Sequence, residues 1–309
     1  MSGGERDESL GSVLTALGAN TAIAIAKGTA AALTGSPSLL AETLHTLADA
    51  GNEVFLFIAI RRSRHPADAS HPFGYGPERY YWALLAAVGM FVVGGAVSIW
   101  EGVRALVNPR GLEAFWAGVA VLVIAIVLDG ISRVVAVRQL RTQSARRGLT
   151  VREYTRETPD PTVLTVFLED TADVLGAALA LVALVLHRLT GSAIPDALGS
   201  IVIGCLLCYL AARLTSRNRQ LLANQSVPDR YVQQLRARLE GEPAIRAVPE
   251  LEAVYLGPSE VLVTAAVEMS DGLTGGEVAA SLQQIRADLG RDVPAIARVY
   301  LTPVAPPGG

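Results

Sequence analysis

The stretch Leu40–Ile58, LAETLHTLADAGNEVFLFI, is long and apolar enough to cross a bilayer, yet it carries His45 and Asp49. Four residues apart, the two sit one turn above each other on one face of a helix. A carboxylate in hydrocarbon is costly, and an ionisable pair within a span marks a functional site by default. What His45 and Asp49 face therefore decides both fold and function.

The chain has 309 residues and is 51% hydrophobic, a fraction that soluble domains also approach, so distribution matters more than total. Long uncharged runs fill the first two thirds, and the last third is mixed and charged. Six stretches reach the ~20 helical residues that cross ~30 Å of hydrocarbon. They are Leu10–Leu33, Leu39–Ile60, Tyr80–Ala105, Phe115–Val137, Thr162–Leu189 and Ile194–Leu214. The turn TGSPS at 34–38 makes the first two a hairpin.

Arginines fix the orientation. Arg61, Arg62 and Arg64 follow the second stretch; Arg138, Arg141, Arg146, Arg147, Arg152 and Arg156 follow the fourth; Arg213, Arg217 and Arg219 follow the sixth. The opposite connections hold only Arg104, Arg110 and Arg188. Both termini are thus expected in the cytoplasm. The polar start MSGGERDE precedes a long span without a cleavage-like site, so no signal peptide is read. A net charge of −3 argues against nucleic acid as a partner.

Beyond Pro228 the period changes. Tyr231, Leu235 and Leu239 have helical spacing, as do Val278, Leu282, Ile285 and Leu289. Leu251–Leu256, Val261–Val267 and Ala297–Val304 read as strands. The predicted fold is an all-α six-helix transmembrane domain followed by a small α+β domain of order α-β-β-α-β. Its divisions are a cytoplasmic tail at 1–8, the membrane domain at 9–222 and a cytoplasmic domain at 223–309. So small a domain buries little core and often relies on a partner.

The fifth stretch opens with a second acidic cluster, Glu169, Asp170 and Asp173. Three carboxylates do not all stay ionised in hydrocarbon without a cation or protons between them. If this face meets His45 and Asp49, one nitrogen and several oxygens converge, a set suited to a divalent metal with Zn²⁺ as first choice. Asn20, Lys27 and Asn52 are weaker candidates for the bundle interior. Asp129 is read as the partner of Arg133, His187 as an interfacial residue and Asp196 as a helix-start residue. Cys205 and Cys208, inside an apolar run, are read as packing residues rather than a redox pair. The connection HPADASHPFGYGPER holds His65, Asp68 and His71, a second and weaker set of metal-binding types.

Together SLLAETLHTLADAGNEV, HPADASHPFGYGPER and LEDTADVLGA, in six spans with an α-β-β-α-β tail, resemble the cation diffusion facilitators. The likeness is greatest to the branch of the mitochondrial-type zinc transporter and its bacterial relatives, and it covers nearly the whole chain. It implies a transporter, not an enzyme, with no permanently bound cofactor. The cargo would be a divalent cation, most commonly zinc, moved out of the cytoplasm in exchange for protons.

The resemblance places the transport site on His45 and Asp49 with Glu169 and Asp173, leaving Asp170 as an alternative to Glu169. It places a loop site on Asp68, His71 and position 75, where Tyr75 replaces a histidine and weakens the site. No histidine follows His187, so a histidine site in the last domain is not available, and that domain is expected to serve a homodimer. His45 is a suitable group for exchanging metal against protons, since free imidazole titrates near ~6.5. Replacing a histidine by Glu169 hardens the ligand set, which widens selectivity towards Mn²⁺, Fe²⁺ or Co²⁺. A bacterial inner membrane is the expected location. The competing readings are a non-transporting membrane sensor or partner-binding module on the same fold, and a proton-coupled carrier of an organic solute.

Overall fold

The computed structural model describes residues 3–146, 148–157, 162–258, 260–293 and 295–305. The chain divides into two compact units. The first comprises Met1–Arg64, Glu78–Arg156 and Pro161–Arg219; the second comprises His65–Pro77, Glu157–Asp160 and Gln220–Gly309.

The first unit is helical. Its opening hairpin pairs α1 (Gly3–Thr34) with α2 (Pro37–Ser63). The predicted turn is built by its residues. Gly35 takes a positive φ of 68° and its amide bonds back to Ala31. Ser36 then caps α2, accepting from the Leu39 amide at 3.2 Å, and Pro37 occupies the first turn. Helix α3 (Glu78–Gly89) continues through a π-helical segment, Met90–Ala96, into α4 (Val97–Val107). Next come α5 (Phe115–Arg146), the short α6 (Val151–Glu157), α7 (Thr162–Thr190) and α8 (Ile194–Leu222). No spacing argument predicts α6, a surface helix whose Tyr154 hydroxyl donates to Gln143 Oε1 at 2.6 Å.

Four continuous helices among the described residues are long and apolar enough to cross a membrane: Glu78–Val107, Phe115–Ala145, Leu168–Thr190 and Ile194–Leu222. This is fewer than the six expected. Helices α1 and α2 have the length, at 32 and 27 residues, but Glu42, Asp49 and Glu53 break the apolar run of α2. The polarity that singled out this stretch is what lowers its hydropathy.

Small residues set the packing. Any β-carbon at Gly95, in the π-helical segment, would press on Cys208 of α8, and one at Gly204 would lie 2.7 Å from Ile99 of α4. Cys208 therefore does pack as a small apolar residue, as expected, whereas Cys205 faces outward and is exposed. Leu39, Ala41 and Ala48 of α2 join Ala172, Ala177, Ala180 and Leu184 of α7 in one buried cluster with Leu122 of α5.

In the second unit, α9 (Asp229–Glu240) packs on β1 (Ile245–Gly257), which runs antiparallel to β2 (Glu260–Met269). Helix α10 (Gly275–Asp292) crosses over to β3 (Ile296–Val304), parallel to β2, so the sheet order is β1-β2-β3. Leu235 and Leu239 of α9 and Leu282, Ile285 and Leu289 of α10 are buried, as their spacing predicts. A capping box starts α10: Thr274 accepts from the Glu277 amide, and the Glu277 carboxylate accepts from the Thr274 amide at 2.8 Å. Those bonds hold Glu277 below the usual carboxylate range.

The connection 65–77 joins this second unit. Arg298 of β3 donates to the Pro72 carbonyl and lies 5.3 Å from the centre of the Phe73 ring.

Candidate metal centre

Helix α2 presents His45 and Asp49 from successive turns, and α7 brings Asp173 against them. His45 Nε2 lies 3.7 Å from Asp49 Oδ2 and 3.6 Å from Asp173 Oδ1. One ligand atom from each residue lies within 4.8 Å of the others, the spacing of a metal cluster. His45 is fully buried and Asp49 is 6% exposed.

Neither ring nitrogen of His45 and neither carboxylate oxygen of Asp49 has a hydrogen-bond partner. Buried polar atoms are nearly always paired, because leaving one bare costs on the order of 1–3 kcal/mol. Three of these atoms, His45 Nε2 and the two oxygens of Asp49, lie on the side of the ring that Asp173 closes, a site with the right chemistry for a cation.

The other acids of α7 separate into two roles. Glu169, one turn before Asp173, accepts from Asn52 Nδ2 at 2.7 Å, so it stays on the α2 side. Asp170 turns to α5, where Ser132 Oγ donates to it at 3.0 Å. Asn52 is thus a partner of Glu169.

One expectation needs correcting, and two residues prove to be more than their spacing implied. Asp129 and Arg133 form no ion pair among the described residues: Asp129 Oδ2 is buried without a hydrogen-bond partner, and Arg133 Nε donates to Thr171 at 3.2 Å. His187, near the end of α7, is buried, with Nδ1 3.3 Å from Asp196 Oδ2. Asp196 does start α8, but it is also fully buried and accepts from Ser36 Oγ at 2.8 Å, the Ser38 amide at 3.1 Å and the Ser38 hydroxyl.

Sequence reasoning passed over Glu42. It is fully buried, accepts from Lys27 Nζ at 2.8 Å, and places its other oxygen 3.6 Å from His45 Nδ1. Lys27, also buried, donates to Thr46 Oγ1 at 2.8 Å. The available signal was the hairpin turn: Lys27 stands eight residues before Gly35 and Glu42 six after Ser36, so folding the chain there brings them level.

In the connection 65–77, Asp68 and His71 come together in a different way. Asp68 accepts from the Ser70 amide and hydroxyl, the His71 amide and the Tyr75 hydroxyl, at 2.7 to 2.8 Å. These bonds, led by Ser70, hold its carboxyl well below the usual range. His71 Nδ1 is 3.9 Å from Asp68 Oδ1, and both side chains are half exposed.

A model of the cation efflux transmembrane domain matches residues 13–223. The chain is 34% identical over 235 residues to the human mitochondrial proton-coupled zinc antiporter SLC30A9, covering 76% of this chain and 41% of that protein. It is 32% identical over 232 residues to metal tolerance protein C4 of Arabidopsis thaliana, covering 75% of this chain and 51% of the relative. To the cation-efflux pump FieF of Klebsiella pneumoniae it is 30% identical over 246 residues, covering 78% and 74%. The chain thus spans about half or less of the length of the first two. Alongside a buried His–Asp–Asp cluster between α2 and α7, these likenesses show that the chain belongs to the cation efflux family, the cation diffusion facilitators.

Proposed function

We propose that the chain carries divalent cations, zinc foremost, out of the cytoplasm in exchange for protons. The observation that carries this is the convergence of His45, Asp49 and Asp173, with His45 Nε2 and both oxygens of Asp49 left without hydrogen bonds. The names of the relatives, a proton-coupled zinc antiporter and a cation-efflux pump, point the same way. A non-transporting sensor gains no support from a site in which every acid is present.

In this reading α1 and α2 span with the four apolar helices, giving six spans with both termini cytoplasmic. The domain at 9–222 is the transport domain, and 223–309 serves a homodimer in a bacterial inner membrane. His45 supplies the nitrogen and Asp49 and Asp173 the neutralising oxygens. Glu169 completes the shell by releasing Asn52, and Asp170 stays with Ser132. Metal takes deprotonated ligands, so protons arriving at the site expel the ion. The spans rock about the site to expose it to either side. Asp68 and His71 are a secondary, weaker site at most, because the hydrogen bonds to Asp68 already fill the role of a ligand.

The test is zinc uptake into proteoliposomes against a pH gradient. Wild type accumulates zinc and Asp49→Ala does not. Equal uptake by both refutes the site; no uptake of any divalent cation by wild type returns the sensor reading.

A further inference from the structure

Glu42 and Lys27 lie outside the cation cluster, yet they are as deeply buried as its members. Lys27 Nζ reaches Glu42 Oε2 and Thr46 Oγ1, both at 2.8 Å, so one carboxylate oxygen is firmly held. The other, Oε1, has no hydrogen-bond partner and faces His45 Nδ1, which has none either, at 3.6 Å. A formed N–H···O bond is ~2.9 Å long, so a small approach satisfies both atoms at once.

Helix α7 closes the arrangement from the far side. Gly176, three residues after Asp173, leaves no room: a β-carbon there would collide with Glu42 Oε1. The carboxylate is thereby confined between Lys27 on α1, Gly176 on α7 and the His45 ring.

We propose that Glu42, anchored by Lys27 and walled in by Gly176, is a positioning residue that holds His45 with Nδ1–H towards Glu42 and the Nε2 lone pair towards Asp49 and Asp173. This rests on His45, Asp49 and Asp173 being the cation's ligands. A carboxylate behind a ligating histidine fixes both tautomer and ring orientation. Because His45 is the cluster's one nitrogen, the device bears on a nitrogen-preferring ion such as zinc and leaves an oxygen-preferring ion such as Mn²⁺ nearly untouched.

The experiment is equilibrium binding of Zn²⁺ and of Mn²⁺ to the purified full chain at one pH, for wild type, Glu42→Gln, Gly176→Ala and Asp49→Asn. Glu42→Gln should weaken zinc about 10–100-fold, the usual effect of removing a ligand's outer partner. Gly176→Ala keeps the Lys27–Glu42 pair in the chain and raises helix propensity, yet it displaces the carboxylate, so it too should weaken zinc. Manganese affinity should change by less than about threefold in both. Equal losses of zinc and manganese, or no loss of either, overturn the assignment. Zinc binding that needs Asp49 but ignores Glu42 and Gly176 overturns this inference alone. Zinc binding indifferent to Asp49 overturns the transport site with it.

Discussion

The helical unit contains two buried histidine–aspartate pairs, and they are built to opposite ends. His187 and Asp196 are 3.3 Å apart, and Asp196 is surrounded by donors: Ser36, the Ser38 amide and the Ser38 hydroxyl. His45 and Asp49 are 3.7 Å apart, and neither oxygen of Asp49 has any donor. Burial is the same in both, so burial does not separate structure from function. Saturation does. A carboxylate that several donors engage ties three helices together, and one that no donor engages is left for a ligand.

The contrast can be broken most severely at Asp49. Asp49→Asn should abolish zinc transport while leaving thermal unfolding in detergent unchanged or shifted upward, because it removes a buried carboxylate that no hydrogen bond satisfies. An Asp49→Asn protein that unfolds early would make the two pairs alike. Asp196→Ala should do the reverse. Removing the acceptor of a buried network costs about 3–5 kcal/mol, read as a lowered unfolding midpoint, with zinc uptake retained by the protein that remains folded. An unshifted midpoint would show that the donors of α2 do not depend on it.

A subtler comparison lies within α7. Glu169→Gln should raise the zinc KM about tenfold, a change of ~1.4 kcal/mol. Asp170→Asn should change it by less than about twofold, since Ser132 already occupies that carboxylate. Reversed magnitudes would move the fourth ligand to Asp170.

The smallest effect belongs to the loop. Its hydrogen bonds depress Asp68, so their stabilising effect is complete above the unfolded carboxylate value of ~3.9 and is lost as pH falls through the lower folded value. Amide protection at residues 68–76, corrected for intrinsic exchange, should therefore be flat from pH 7 to 5 and decline below pH 4. Tyr75→Phe should lower that plateau. Protection that persists unchanged at pH 3 would count against Asp68 as the loop's organiser.

Much of this was readable from spacing. The turn at 34–38, the shared face of His45 and Asp49, the acids of α7 and the α-β-β-α-β order all follow from local periodicity. What spacing misses is which face of another helix comes opposite. Glu42 was passed over because its partner, Lys27, lies on a different helix. Arg133 looked like the partner of Asp129 because they share a helix, yet it bonds to Thr171 of α7. Hydropathy marks only four of the six expected spans for a related reason: the groups that make α2 a candidate site also make it less apolar than a lipid-facing helix.

The absence of a side chain at Gly176 carries a consequence for sequences other than this one. Positions 42 and 176 are a single choice, since a carboxylate at one leaves no volume for a methyl group at the other. Relatives with alanine or serine at the second position should carry a shorter residue at the first, with nothing opposite position 27 to pair. Such chains would have to orient their histidine by other means, so this residue pair offers a way to sort the family by how the nitrogen ligand is held.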